Sequence, residues 1–421
     1  IETINIIRTT TQIFQLVGIF IFSYVLNYVR RERLATVLLT VLGLSFMFLP
    51  YSSDLKTFSA MISIKSFSKG GYQAVSLIWI LDLWKKAAGP YLQAEHFFLA
   101  VGVIFPPIFF GPYLSQNTDP TQPLSKQEPA LTTPLIFEIS PKIFLLNLEF
   151  SSSSKSSSLF IPSALCGGLI LIGALLQLML VFLPDGKYPH SDYDDLDKLE
   201  LDPSSGKSVK CEEGKHESDK NKNLLRIILM LSAAIIIYSS FLAVETIDIE
   251  FFSVFLYTSP LQVPTQDGAK FLVEAALADI IATFAGIFLS TKLSSEVMIW
   301  GNMLSLLVGF ALLWTAAVFL QRVFIHAAAV FIGIGLSTAV ASLYYYVDCH
   351  LHLTNFTGAV LLVSSGVITF VYKLILGAYI EYTPFVYIYW NLGFVVCATV
   401  GMIWFQCLTD GTNKQENILS S

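Results

Sequence analysis

Two lysines, Lys65 and Lys69, interrupt a run of small and apolar residues. A spacing of four puts both on one face of a helix. Farther along, Glu245, Asp248 and Glu250 break into an apolar stretch, and Glu274 and Asp279 lie within the next one. Such groups can pair with each other, hold a cation, or accept hydrogen bonds from the hydroxyls of a polar solute. Each one costs about 2.5–3.5 kcal/mol at the centre of a membrane helix, so each needs a partner, water or a route to the interface. Lys69, Gln73, Glu245 and Asp279 are the candidates for solute contact, with Glu245 and Asp279 also candidates for ion coupling. Lys270 and Glu274, one turn apart, are expected to pair near an interface, and Asp248 and Glu250 to face water. Trp390 and Asn391 offer an aromatic face beside an amide, a combination that binds sugars by ring packing plus hydrogen bonds.

Enzyme signatures are missing from the sequence. It has no phosphate-binding loop, no HExxH, no GxSxG and no metal-spaced Cys/His cluster. We therefore expect no catalytic residues, no resident metal and no cofactor. The five cysteines form no CxxC pair and are read as free thiols. Nothing suggests a nucleic-acid partner.

The elements that must position these residues are membrane helices. Of 421 residues, 54% are apolar and only 13% charged, with a mean hydropathy of +0.65, which excludes an ordinary soluble chain. About 20 apolar residues cross a hydrocarbon core. Candidate spans are 10–29, 34–51, 56–80, 92–113 and 160–183, then 224–247, 268–290, 297–320, 323–347, 356–379 and 385–407.

Five spans precede the hydrophilic stretch around 185–222 and six follow it. This divides the chain into an N-terminal bundle (1–183, with a loop at 114–158), a linker (184–223), a C-terminal bundle (224–408) and a tail (409–421). Arg30, Arg31 and Arg33, then Lys85 and Lys86, and later Lys292 cluster in short loops on the side of the linker. The positive-inside rule places that side, with the linker and tail, in the cytoplasm, and loop 114–158 outside. The sequon Asn355-Phe356-Thr357 is then cytoplasmic, and glycosylation there is not expected. Lys373 and Glu381 are expected near the external interface. We expect a monomer in the lipid bilayer, at the plasma membrane.

One stretch is more specific. Leu81-Asp82-Leu83-Trp84, then Ala88-Gly89-Pro90-Tyr91-Leu92-Gln93-Ala94 and His96-Phe97, with Gly102 and Pro107 beyond, resemble the sodium-dependent glucose transporter-like branch of the major facilitator superfamily. That resemblance implies a fold of two six-helix bundles, so that the first helix is missing from the eleven spans counted here. It also implies transport of a small polar solute such as a monosaccharide, by alternating access of a midplane site, with Na⁺ as a possible coupling ion. Gln93 and His96 match the branch's pattern, and His96 is expected to hold the turn before it by a hydrogen bond. The branch often carries an acidic residue eleven positions before the tryptophan, where this chain has Gln73. The superfamily's Gly-x-x-x-Asp-Arg-x-Gly-Arg-Arg loop survives only at its basic end, Arg30 and Arg31, and the equivalent loop ending at Lys292 is equally degenerate. These basic residues are the gating candidates. Loss of Gln73's acidic counterpart and of both loops also fits a non-transporting scaffold or sensor with the same fold.

Overall fold

In the computed structural model, the described residues are 2–52, 54–114, 160–182, 213–351, 353–380 and 382–419. Loop 115–158, the linker up to residue 212 and Glu381 lie outside them. The described chain is helical throughout: α1 (Glu2–Val25), α2 (Arg31–Phe48), α3 (Leu55–Trp84), α4 (Ala88–Leu114) and α5 (Phe160–Phe182), then α6 (Glu213–Thr258), α7 (Thr265–Leu289), α8 (Ser295–Phe319), α9 (Val323–Ser337), α10 (Ala339–Leu351), α11 (Asn355–Tyr379) and α12 (Val386–Leu419). Because α9 and α10 are two arms of one rod, these segments form eleven rods, the number expected. Eight are long and apolar enough to cross a membrane, and Thr9–Val25 of α1 is a shorter apolar helix. The chain is a multi-pass membrane protein.

Several boundaries differ from the sequence reading. The helix expected at 224 begins at Glu213, inside the stretch read as linker, and α12 continues through most of the stretch read as tail. The span expected at 323–347 is interrupted at Thr338 (φ −107°, ψ −1°), outside the helical region. The Thr338 side chain is held there by Asn302 of α8, at 2.8 and 3.1 Å.

Helices α1 to α5 pack among themselves, and α6 to α12 form the second bundle. Hydrocarbon offers no hydrophobic drive between helices, so close packing of small residues does the work. Gly18 and Gly70 let α1 and α3 touch backbone to backbone: a Cβ on Gly70 would overlap the Gln15 carbonyl oxygen, and one on Gly18 the Phe67 carbonyl oxygen. The bundles meet through α1 against α11 and α4 against α7 and α10.

At the basic end, Arg31 of α2 forms an ion pair with Asp82 of α3, and Arg30 lies 3.9 Å from Glu32. Trp84 stacks on Tyr91 at 3.6 Å across the tight turn between α3 and α4, where Lys85 has φ +45°.

Candidate functional site

Lys69 comes from α3 of the first bundle, and both Asp279 of α7 and Glu245 of α6 come from the second. Glu245 feels the charges of Asp279 and of Lys69, which places the three groups around one space between the bundles. Lys69, Glu245 and Asp279 are all half-buried, the exposure expected of groups lining a wetted cavity. Two carboxylates and one ammonium leave the cluster with one excess negative charge when all are ionised. That suits a cation together with a hydroxylated solute.

Lys65 does not share this space despite its spacing. It is 8% exposed, and its ammonium lies over the Phe46 ring of α2, 5.5 Å from the centroid, inside the first bundle. Ring and ammonium attract through the ring quadrupole. The two lysines therefore divide, Lys65 to packing and Lys69 to the cavity.

Gln73, one turn from Lys69, receives the Gln15 amide of α1 on its side-chain oxygen at 3.3 Å. Asp279 is tied to the break in the α9–α10 rod: the Thr283 hydroxyl sits 3.1 Å from Asp279 Oδ1 and 3.2 Å from the Ser337 carbonyl oxygen. From the first bundle, the Gln93 amide approaches the same break, 2.9 Å from Ser342 Oγ and 3.3 Å from the Thr338 carbonyl. A second contact between bundles joins Asn355 Nδ2 to Asn27 Oδ1 at 2.6 Å. The Asn27–Asn355 contact lies at the end bearing Arg30 and Arg31, and both contacts are uncharged. Lys292 itself is exposed.

Trp390 packs edge-on against Tyr372 of α11, with ring centroids 5.1 Å apart. Asn391 is fully buried on α12, and neither amide atom has a hydrogen-bond partner among the described residues. His96 is half-buried at the start of α4.

One expected pairing and two carboxylates expected to face water are corrected. Lys270 pairs with Asp267 at 2.8 Å and not with Glu274, because a spacing of three on the first turn is the shorter reach; the ammonium holds the Asp267 carboxyl below its ordinary value. Glu274 instead meets His326 of α9 at 2.8 Å. Asp248 does not face water: it is 3% exposed and accepts a short hydrogen bond from the Tyr387 hydroxyl. Glu250 of α6 receives Lys373 of α11 at 2.6 Å, with side chains 30% and 19% exposed.

Sequence reasoning passed over Glu95, Tyr238 and Tyr344. Glu95 lies within electrostatic reach of both tyrosines, whose rings are 4.8 Å apart. Tyrosines in an apolar run look like core, and only the fold brings them to Glu95.

No family model matches the chain. Over 76 residues it is 26% identical to major facilitator superfamily domain-containing protein 4A of Mus musculus, a stretch covering 18% of this chain and 15% of that protein. The solved structures it resembles include FucP, a major facilitator superfamily transporter in the outward conformation, at 13% identity and a TM-score of 0.65, covering 96% of this chain and 89% of that one. A second structure of FucP, the E. coli fucose:proton symporter, matches at 12% identity and a TM-score of 0.63, covering 97% of this chain and 91% of that one. The proton:xylose symporter XylE, bound to 6-bromo-6-deoxy-D-glucose, matches at 12% identity and a TM-score of 0.59, covering 94% of this chain and 84% of that one. The chain has the major facilitator fold.

Proposed function

We propose that the protein is a secondary transporter that moves a small polar solute, a monosaccharide such as glucose, by alternating access. The observation that carries this reading is the placement of Lys69 in one bundle against Glu245 and Asp279 in the other. A site whose halves belong to separately moving bundles is made and unmade as they rock. FucP and XylE are both sugar symporters, which supports the solute class.

In this reading the basic end is cytoplasmic, the contacts of Gln93 and Asn27 close that side, and the site opens outward. Gln73 orients the site through Gln15. Glu245 and Asp279 bind the coupling cation. The resemblance of the α3–α4 stretch favours Na⁺, whereas the symporters of like fold move protons, and a carboxylate can serve either ion.

Uptake into proteoliposomes tests the proposal. Saturable sugar uptake, stimulated by an inward Na⁺ gradient and abolished in Glu245→Gln with exchange retained, is the expected result. Stimulation by a proton gradient alone would replace Na⁺ with H⁺. Failure to take up or bind any sugar would favour a non-transporting scaffold.

A further inference from the structure

The Lys69–Glu245 layer has a second polar layer behind it. On α3, Ser76 follows Lys69 by seven residues, with Tyr72 and Gln73 between them; on α6, Tyr238 precedes Glu245 by seven. Seven residues are almost two turns, so each pair shares a helix face and is separated by about 10 Å along the axis. The two helices run in opposite directions relative to the basic end, so both steps lead toward it. Ser76 and Tyr238 thus belong to one level, displaced from the first.

Glu95 of α4 lies at that level. Ser76 is its neighbour, and the Ser76 hydroxyl donates to the Gln73 carbonyl oxygen at 3.3 Å. One serine proton serves one acceptor at a time, while a carboxylate has about four lone-pair sites. Tyr72 of α3 lies within its electrostatic reach, as do Tyr238 of α6 and Tyr344 of α10. The tyrosines of the second bundle are 1% and 4% exposed. The Tyr344 hydroxyl approaches that of Tyr238 but makes no well-aligned hydrogen bond. An acceptor-rich carboxylate from one bundle therefore faces two aromatic hydroxyls from the other.

We propose that Glu95, Tyr238 and Tyr344 form a second binding layer for the hydroxyls of a monosaccharide, entered when the solute leaves the Lys69–Glu245 layer toward the basic end. The carboxylate accepts hydrogen bonds from sugar hydroxyls, the tyrosine hydroxyls bond to the neighbouring ones, and the paired rings pack on the sugar's C–H face. The layer is divided between the bundles, as the first one is. This inference rests on the proposed transport function and adds the solute's second position.

The test uses the full chain in proteoliposomes and detergent, with D-glucose, D-xylose and L-fucose as probes. Glu95→Gln keeps the shape, and Tyr344→Phe removes one hydroxyl. Both should lower the maximal rate of net transport by about tenfold, the size of one lost charge-assisted hydrogen bond. Equilibrium sugar binding from the outer side should stay within about twofold of the parent protein, whereas Lys69→Ala should weaken it by about tenfold. Unchanged net transport in both variants overturns the second layer. So does Glu95→Gln that exchanges sugar normally but loses pH dependence, since Glu95 would then carry a proton. Loss of folding in both variants, read by melting temperature and size exclusion, assigns the cluster to structure and also overturns it. If the parent protein neither moves nor binds any of the three sugars, the transport reading itself has failed.

Discussion

Lys69 of α3 lies within electrostatic reach of Glu245 of α6, so a charge of each sign faces the other across the boundary between the bundles. Removing one partner leaves the other without its opposite charge at this boundary. Lys69→Ala and Glu245→Gln should each reduce sugar uptake at least tenfold, about 1.4 kcal/mol, while the variants fold and reach the membrane. The double variant should lose less than the sum of the two, since interacting sites are non-additive. Additive losses, measured as kcat/KM for uptake, would mean that the two side chains act separately.

The amide contact between Asn27 and Asn355, 2.6 Å long, joins the end of α1 to the start of α11 across the bundles. A pair of cysteines at these positions should form a disulfide under mild oxidation. If opening at this end belongs to the cycle, the oxidised protein should stop transporting and recover with reductant. Full activity in the cross-linked protein would show that these ends never separate.

Arg31 and Asp82 form an ion pair that links α2 to α3. Each is about 29% exposed, and partly exposed ion pairs contribute about 0.2–1 kcal/mol. Arg31→Ala should therefore lower the melting temperature by only a few degrees, whereas Arg31→Lys should restore most of it. A large collapse of Arg31→Ala in thermal unfolding would point to a wider network at this end.

Asn391 has neither exposure nor a hydrogen-bond partner among the described residues. A buried unsatisfied amide costs about 1–3 kcal/mol. Asn391→Leu should then raise the melting temperature and leave the KM for sugar unchanged. A selective rise in KM, with stability intact, would return Asn391 to the solute site.

The apolar spans and their count were legible because hydrocarbon imposes length and composition on every crossing helix. The division of Lys65 from Lys69 was not, because their partners, Phe46 of α2 and Glu245 of α6, come from other helices. Pairings within one helix were misjudged where tertiary partners competed: His326 takes Glu274, and Tyr387 takes Asp248. Glu95 stands out in the chain only as the neighbour of His96, since its partners come from three other helices. The break at Thr338 has no proline or glycine at the position itself to announce it, and Asn302 holds it from α8.

Asp248 and Tyr387 make the sharpest test of the second bundle. The tyrosine is fully buried, stacks on Phe255 with centroids 5.0 Å apart, and donates a hydrogen bond from its hydroxyl to a carboxylate that is itself 3% exposed. Hydrogen bonds to charged groups contribute about 1.5–3 kcal/mol, and an orphaned buried acceptor costs as much again. Tyr387→Phe keeps the ring and its stacking but strands the carboxylate, so it should destabilise the protein by about 2 kcal/mol or more. Asp248→Asn retains an acceptor for the hydroxyl and removes the buried charge, so it should cost less, and in the double variant it should recover part of the loss from Tyr387→Phe. Thermal unfolding in detergent measures all four proteins in one cycle. If Tyr387→Phe melts with the parent protein, Asp248 has another donor or is protonated, and the α6–α12 interface owes its stability to ring packing alone.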